Sequence, residues 1–131
     1  MGFLELCKTL NSEHVENIFN GSKEYEFRKV RCKETVEKII IYSTAPVMQV
    51  VGEAKVETVL EDTPEAIWEK TKKKAGIDKY FFEKYYEGKL RAFAFKLEDV
   101  KRYDPPKDLS CYGISTAPQS FVYIQNEDTI Y

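Results

Sequence analysis

Ile39-Ile40-Ile41-Tyr42 is an unbroken β-branched and aromatic run. After the break Ser43-Thr44-Ala45-Pro46 it gives way to a long period-two segment, Val47 to Leu60. A run apolar at every position fits a strand covered on both faces. In the second segment Ala54, Val56, Thr58 and Leu60 face one way. Glu53, Lys55, Glu57 and Glu61 face the other, interrupted only by Val59, which is the alternation of a half-buried strand. Gly52 inside it predicts a bulge or a close backbone approach. A doubly covered strand beside a long bent one predicts a small sheet that curls into a barrel.

The rest of the chain fits around that pair. Phe3 to Leu10 reads as a first strand. Asn11 or Ser12 can cap a two-turn helix with Val15, Ile18 and Phe19 inward, His14 off that stripe and Gly21 as its stop. Thr63-Pro64 starts a second helix, whose Lys72-Lys73-Lys74 run falls at its negative end. Asp78 caps a third helix ending near Gly88, with Phe81, Phe82, Tyr85 and Tyr86 as a wide aromatic stripe. Leu90 to Leu97 alternates as a strand, extended by Val100 to Tyr103 and ended by Asp104-Pro105-Pro106. Asp108 to Thr116 reads as a mobile loop, Phe121 to Ile124 as a last strand, and 125–131 as a frayed tail. This order does not alternate as βαβ. It predicts an α+β fold: a mixed or antiparallel barrel of about six strands flanked by two or three short helices.

The stretch Gly21-Ser22-Lys23-Glu24-Tyr25-Glu26-Phe27-Arg28 carries the chemistry. At period two Tyr25 and Phe27 share the core side, while Glu24, Glu26 and Arg28 share the other. Lys23 stands just before them. A lysine, carboxylates and an arginine this close can hold a flat polar ligand such as a nucleobase. The plainer reading is a solvated edge strand with an ion pair of little energetic weight. Lys29, Arg31 and Lys33 continue the basic patch and are placed to meet phosphates.

Composition narrows the choice. At 131 residues the chain has the length of one domain, its core about 3–124. Such a chain buries roughly two-thirds of its unfolded surface. The formal net charge of −2 argues against non-specific wrapping of a duplex, so any nucleic-acid contact is local. Cys7, Cys32 and Cys111 are far apart and odd in number, and His14 is the lone histidine. A zinc site would have to gather all four, so no metal and no cofactor are expected, and the thiols read as reduced. With no signal peptide or membrane-length apolar run, the expectation is a soluble, cytoplasmic protein with no membrane partner. The oligomeric state is left open.

Gly21-x-Lys23-x-x-Glu26-x-Arg28 after a short helix resembles the signature of the ASCH domain, a branch of the PUA-like β-barrels. Ile41 to Val47 with Val51-Gly52-Glu53 is similar to that group's second conserved block. The Thr-Pro-Glu helix, the aromatic helix ending in Tyr-x-Gly, and Ala92 to Leu97 follow the same order. Ala117-Pro118-Gln119-Ser120-Phe121 resembles the closing motif. The resemblance implies a cleft between strands and helices and a role in RNA binding or RNA-linked regulation, related folds seating a flipped base there.

On this resemblance the ligand-binding set is Lys23, Tyr25, Glu26, Arg28, Ser43 and Gln119, with Lys29 and Arg31 on phosphates, and the partner is RNA or a nucleotide. One enzymatic branch hydrolyses cytidine acetylated on its exocyclic amine, using the motif lysine, a threonine three residues later and a downstream glutamate. Lys23 matches the lysine, and on that alternative it is catalytic. Position 26 is glutamate, so a substitute hydroxyl from Ser22, Ser43 or Ser120 would be needed, with Asp78 or Glu83 as the acid. A third reading is a protein-interaction domain using Tyr85 and Tyr86.

Overall fold

The computed structural model describes residues 3–9, 12–31, 35–44, 46–116 and 121–125. Six strands, β1 (Phe3–Thr9), β2 (Tyr25–Arg28), β3 (Val36–Ser43), β4 (Gln49–Asp62), β5 (Ala92–Lys107) and β6 (Phe121–Gln125), form one sheet. Its order is β2-β5-β4-β3-β1-β6. The first four of that order are antiparallel, β1 runs parallel to β3, and β6 runs antiparallel to β1. Among the described residues no pairing joins β2 to β6, so the expected closed barrel is instead an open mixed sheet. Three helices accompany it: α1 (Ser12–Phe19), α2 (Pro64–Thr71) and α3 (Lys79–Tyr85).

The isoleucine run behaves as its composition demands. Ile39 and Ile41 enter one core with Val15 and Ile18 of α1 and with Phe95 and Leu97 of β5. Ile40 and Tyr42 enter another with Val50 and Tyr112. Gly52 lies at an irregularity of both its pairings, and a Cβ there would strike the Lys101 carbonyl and the Phe19 ring of α1. Close approach of helix and strand is therefore the reason for glycine at this point. Arg102 strengthens the same junction, stacking 4.2 Å from the Phe19 ring and donating to both oxygens of Glu16 at 3.1 and 2.9 Å.

Three expectations change. A register shift between Val56 and Thr58 splits the row drawn from Ala54 to Leu60: Ala54 and Val56 join the α1 side, Leu60 the opposite one. Strand β5 does not stop at Asp104-Pro105-Pro106 but runs to Lys107. The prolines fall between the pairs Gly52↔Arg102 and Val50↔Lys107, where no ladder hydrogen bond is asked of them. The loop expected from Asp108 holds a short 3-10 helix, Leu109–Tyr112, pinned by buried Tyr112.

Helices α2 and α3 cover the far face of β2 and β5. Thr63 caps α2 and Asp78 caps α3, accepting from Ala66 N at 3.3 Å and Phe81 N at 2.8 Å. Phe82 and Tyr86 are the inward half of the aromatic stripe and meet Phe27 edge-on at 5.3 and 6.5 Å. Of the other two members of the stripe, Phe81 is exposed and Tyr85 half-buried. The Tyr86 hydroxyl reaches through to the sheet, within 2.9 Å of Arg28 O and 3.1 Å of Phe93 O. Burial, with Tyr85 beside it, pushes its phenol well above the ordinary range. A second polar knot ties β3, β4 and β5. Tyr103 donates to Glu53 at 2.7 Å, Lys38 pairs with Glu53 at 2.8 Å, and Tyr103 and Tyr112 are hydrogen-bonded to each other.

Candidate nucleic-acid interface

Lysine and arginine are seldom buried without partners, yet Lys23 and Arg28 are each 5% exposed and Ser43 3%. Each has a different neighbourhood. Lys23 lies just before β2, where its backbone bridges Ala75, next to the turn that follows α2. Its ammonium donates to Ala75 O at 2.9 Å and sits 4.9 Å from the Phe27 ring centroid. Gly76, at φ +72°, lets the chain pass against the stem: a Cβ there would lie 2.5 Å from Lys23 Cβ. Lys23 thus belongs to the helix-covered face, together with half-buried Tyr25, which stacks on Phe27 at 6.4 Å.

Arg28 belongs to the other face. Glu26 is opposite Phe95 and Arg28 opposite Phe93 in the ladder. The guanidinium lies 5.1 Å from the Phe95 ring and 3.6 Å from the Glu26 carboxylate. The structure therefore unites Glu26 with Arg28 and places Lys23 across the strand from them. Ser43 pairs with Gln49 at the start of the fourteen-residue β4, whereas Glu61, opposite Phe93, is near its end. Gln119 lies outside the described residues.

Around Arg28 a basic shelf takes shape. The cross-strand row Arg28–Phe93–Glu61 runs over β2, β5 and β4 on one face. Arg31 reaches over Phe93, 5.9 Å from its ring, to pair with Glu61 Oε2 at 2.5 Å. Arg91 comes to the same oxygen at 3.6 Å. Two guanidiniums thus share one carboxylate oxygen, which leaves cationic capacity facing solvent. Lys29 turns to the opposite side and lies 4.6 Å over the Tyr85 ring. Arg91 was not singled out by the sequence: it is an isolated arginine at the start of an alternating strand, and only the pairing of β4 with β5 brings it to Arg31.

Of the further residues named for a nucleoside amidase, Ser120 lies outside the described residues. Asp78 is committed to capping α3, Ser22 donates to Asn17 O at 3.4 Å, and Ser43 is at the other end of β4. Tyr86 is buried, and half-buried Tyr85 donates to Phe27 O at 3.2 Å. Among the described residues no cluster of three or more His, Cys, Asp or Glu is suited to a metal ion. No helix there is long and apolar enough to cross a membrane.

Residues 8–118 match the profile of the family described as "Domain of unknown function (DUF365)". The chain is 35% identical over 103 residues to the large ribosomal subunit protein uL22 of Ureaplasma parvum serovar 3. That match covers 79% of this chain but spans only 33% of that protein's length. It is 27% identical over 132 residues to an ASCH domain-containing ribonuclease of Zymomonas mobilis, covering 95% of this chain and 87% of that one. The crystal structure of ASCH from Zymomonas mobilis superposes with a TM-score of 0.84 at 26% identity, covering 96% of this chain and 90% of that one.

Proposed function

From a chain that belongs to the DUF365 family and is an ASCH domain, we propose an RNA-binding module that holds single-stranded RNA along the exposed Arg31–Arg91 shelf, beside buried Arg28. The observation that carries this reading is the convergence of Arg31 and Arg91 on one Glu61 oxygen, at 2.5 and 3.6 Å, above the ring of Phe93. A phosphate can complete the coordination that a single carboxylate shares out. The near-neutral net charge of −2 suits a short footprint of few phosphates rather than a wrapped duplex. The name of the Zymomonas relative supports RNA as the polymer.

Half-buried Glu26 orients the guanidinium of Arg28, and Arg31 and Arg91 contact backbone phosphates. Lys23 acts through structure, fixing the turn after α2 against Phe27, and Tyr25 packs the strand on which Glu26 and Arg28 stand. Ser43 and Gln119 remain candidates for contacts farther along the strand of RNA. RNA cleavage is the second reading, favoured by the relative's name as a ribonuclease over 87% of its length.

Anisotropy of a labelled single-stranded RNA oligomer, titrated at several salt concentrations, tests the proposal. Each phosphate contact contributes about 0.7 to the slope of log affinity against log salt. The double variant Arg31→Ala, Arg91→Ala should therefore lower the slope by about 1.4. A salt-insensitive interaction, or none with any RNA, refutes it. Gel analysis of the same mixtures reports any cleavage.

A further inference from the structure

Glu61 is an odd neighbour for a phosphate. Arg31 and Arg91 both approach its Oε2, at 2.5 and 3.6 Å, and among the described residues no hydrogen bond reaches its Oε1. The carboxylate is 28% exposed, between guanidiniums whose side chains are 72% and 50% exposed. Phe93, opposite Glu61 in the β4–β5 ladder, is buried beneath Arg31 and supports it from below. The next residue, Asp62, is taken instead by Lys70 of α2 at 3.2 Å. Of these two successive acids, then, one belongs to the helix and the other to the arginines. Strand β4 sets the place of Glu61, and Arg31 and Arg91 tether one oxygen while the second stays open.

This arrangement has a chemical complement. Across the shelf it reads cation, acceptor, cation. A guanidinium pairs with a phosphate. A carboxylate oxygen accepts from a hydroxyl, as acidic side chains do from the 2′-hydroxyl of ribose in dinucleotide sites. In RNA that hydroxyl is on the carbon next to the one bearing the 3′-phosphate, so each nucleotide presents phosphate, hydroxyl and phosphate in order. DNA presents the phosphates alone. Two guanidiniums that meet at one oxygen are near neighbours, suited to consecutive phosphates of one strand. For phosphates by themselves Glu61 is a handicap, because it occupies both arginines and repels the ligand. With a ribose between the phosphates it has a donor to bind.

Resting on the RNA-binding reading above, we infer that Glu61 is the residue that selects RNA over DNA. Its Oε1 accepts the 2′-hydroxyl of a ribose whose flanking phosphates lie on Arg31 and Arg91. Its Oε2 stays with the guanidiniums and keeps the carboxylate in position. Because the contact is to sugar, the selection does not depend on the base.

Anisotropy titrations of the full chain compare three labelled single strands of one sequence: ribo, 2′-deoxy and 2′-O-methyl. The last keeps the sugar oxygen and loses its proton. The ribo strand should bind on the order of tenfold more tightly than the other two. Glu61→Ala frees the arginines, so the deoxy strand should gain affinity and the ribo-to-deoxy ratio should fall to about one. Glu61→Gln retains a carbonyl acceptor and should retain part of the preference. Circular dichroism confirms that both variants are folded. Equal affinity of the parent chain for the ribo and deoxy strands overturns the inference and leaves the shelf standing. So does a 2′-O-methyl strand that binds as tightly as the ribo strand, or a preference that survives Glu61→Ala undiminished. Failure of every strand to bind overturns the shelf reading itself, and the selection by Glu61 with it.

Discussion

Replacing Tyr86 by phenylalanine removes one oxygen and nothing else. The ring keeps its neighbours: Phe82 and Tyr85, each at 4.8 Å, and Phe27 at 6.5 Å. What disappears is the hydroxyl placed 2.9 Å from Arg28 O and 3.1 Å from Phe93 O, the clip between α3 and the facing pair of β2 and β5. One proton cannot serve two carbonyls fully, so the loss is counted as one buried hydrogen bond with a shared donor. Leaving such acceptors without their donor costs about 1–3 kcal/mol. At this chain length a kilocalorie shifts the melting temperature by roughly 4 °C, so Tyr86→Phe should melt about 4–12 °C lower. Tyr85→Phe provides the internal scale, because its hydroxyl makes a single, longer bond to Phe27 O at 3.2 Å in a partly exposed setting. It should cost about 0.5–1.5 kcal/mol. Urea denaturation followed through Trp68 measures both. If Tyr86→Phe is as stable as the parent, or less harmful than Tyr85→Phe, the hydroxyl is not a clip and the account of the β2–α3 junction fails.

Gly52→Ala should destabilise by about 1–3 kcal/mol or more in the same urea assay, since its Cβ would meet the Lys101 carbonyl as well as two Phe19 ring atoms at 2.5 and 2.7 Å. Glu61→Gln frees Arg31 and Arg91 from their shared carboxylate and should tighten RNA binding by roughly two- to fivefold in the anisotropy titration; weaker binding would contradict the shelf. At alkaline pH the phenols of Tyr86, Tyr103 and Tyr112, all raised chiefly by burial, keep their protons in the native state when unfolded tyrosine loses them. Their contribution is complete below the unfolded value of 10.0 and is lost as pH rises above it. Urea midpoints should therefore fall from about pH 10 upward, with phenolate absorbance lagging behind that of the unfolded chain.

The elements were legible where a local pattern has a single solution. Four apolar residues in a row at Ile39 to Tyr42 fit only a doubly covered strand, and Thr63-Pro64 and Asp78 are caps by their chemistry. The two faces of Tyr25 to Arg28 followed from alternation, and Glu26 and Arg28 indeed share one. The whereabouts of Lys23 did not follow, because its partner Ala75 is distant in sequence and is brought there by the turn after α2. Period two also cannot reveal where it is broken: the irregularity between Val56 and Thr58 leaves no mark in composition. Arg91 was invisible for a related reason. Its meaning depends on which strand lies beside β5.

Strands β1 and β6 lie together at one margin of the sheet, Phe3 directly across from Gln125, while β2 forms the opposite margin. A polypeptide attached at either of those positions leaves from the margin opposite β2, the strand that carries Arg28. Both attachment points thus share one margin of the sheet, and Arg28, beside the arginines proposed above to meet RNA, stands on the strand at the other. The match spanning a third of a ribosomal protein is one setting in which a similar segment lies within a longer chain.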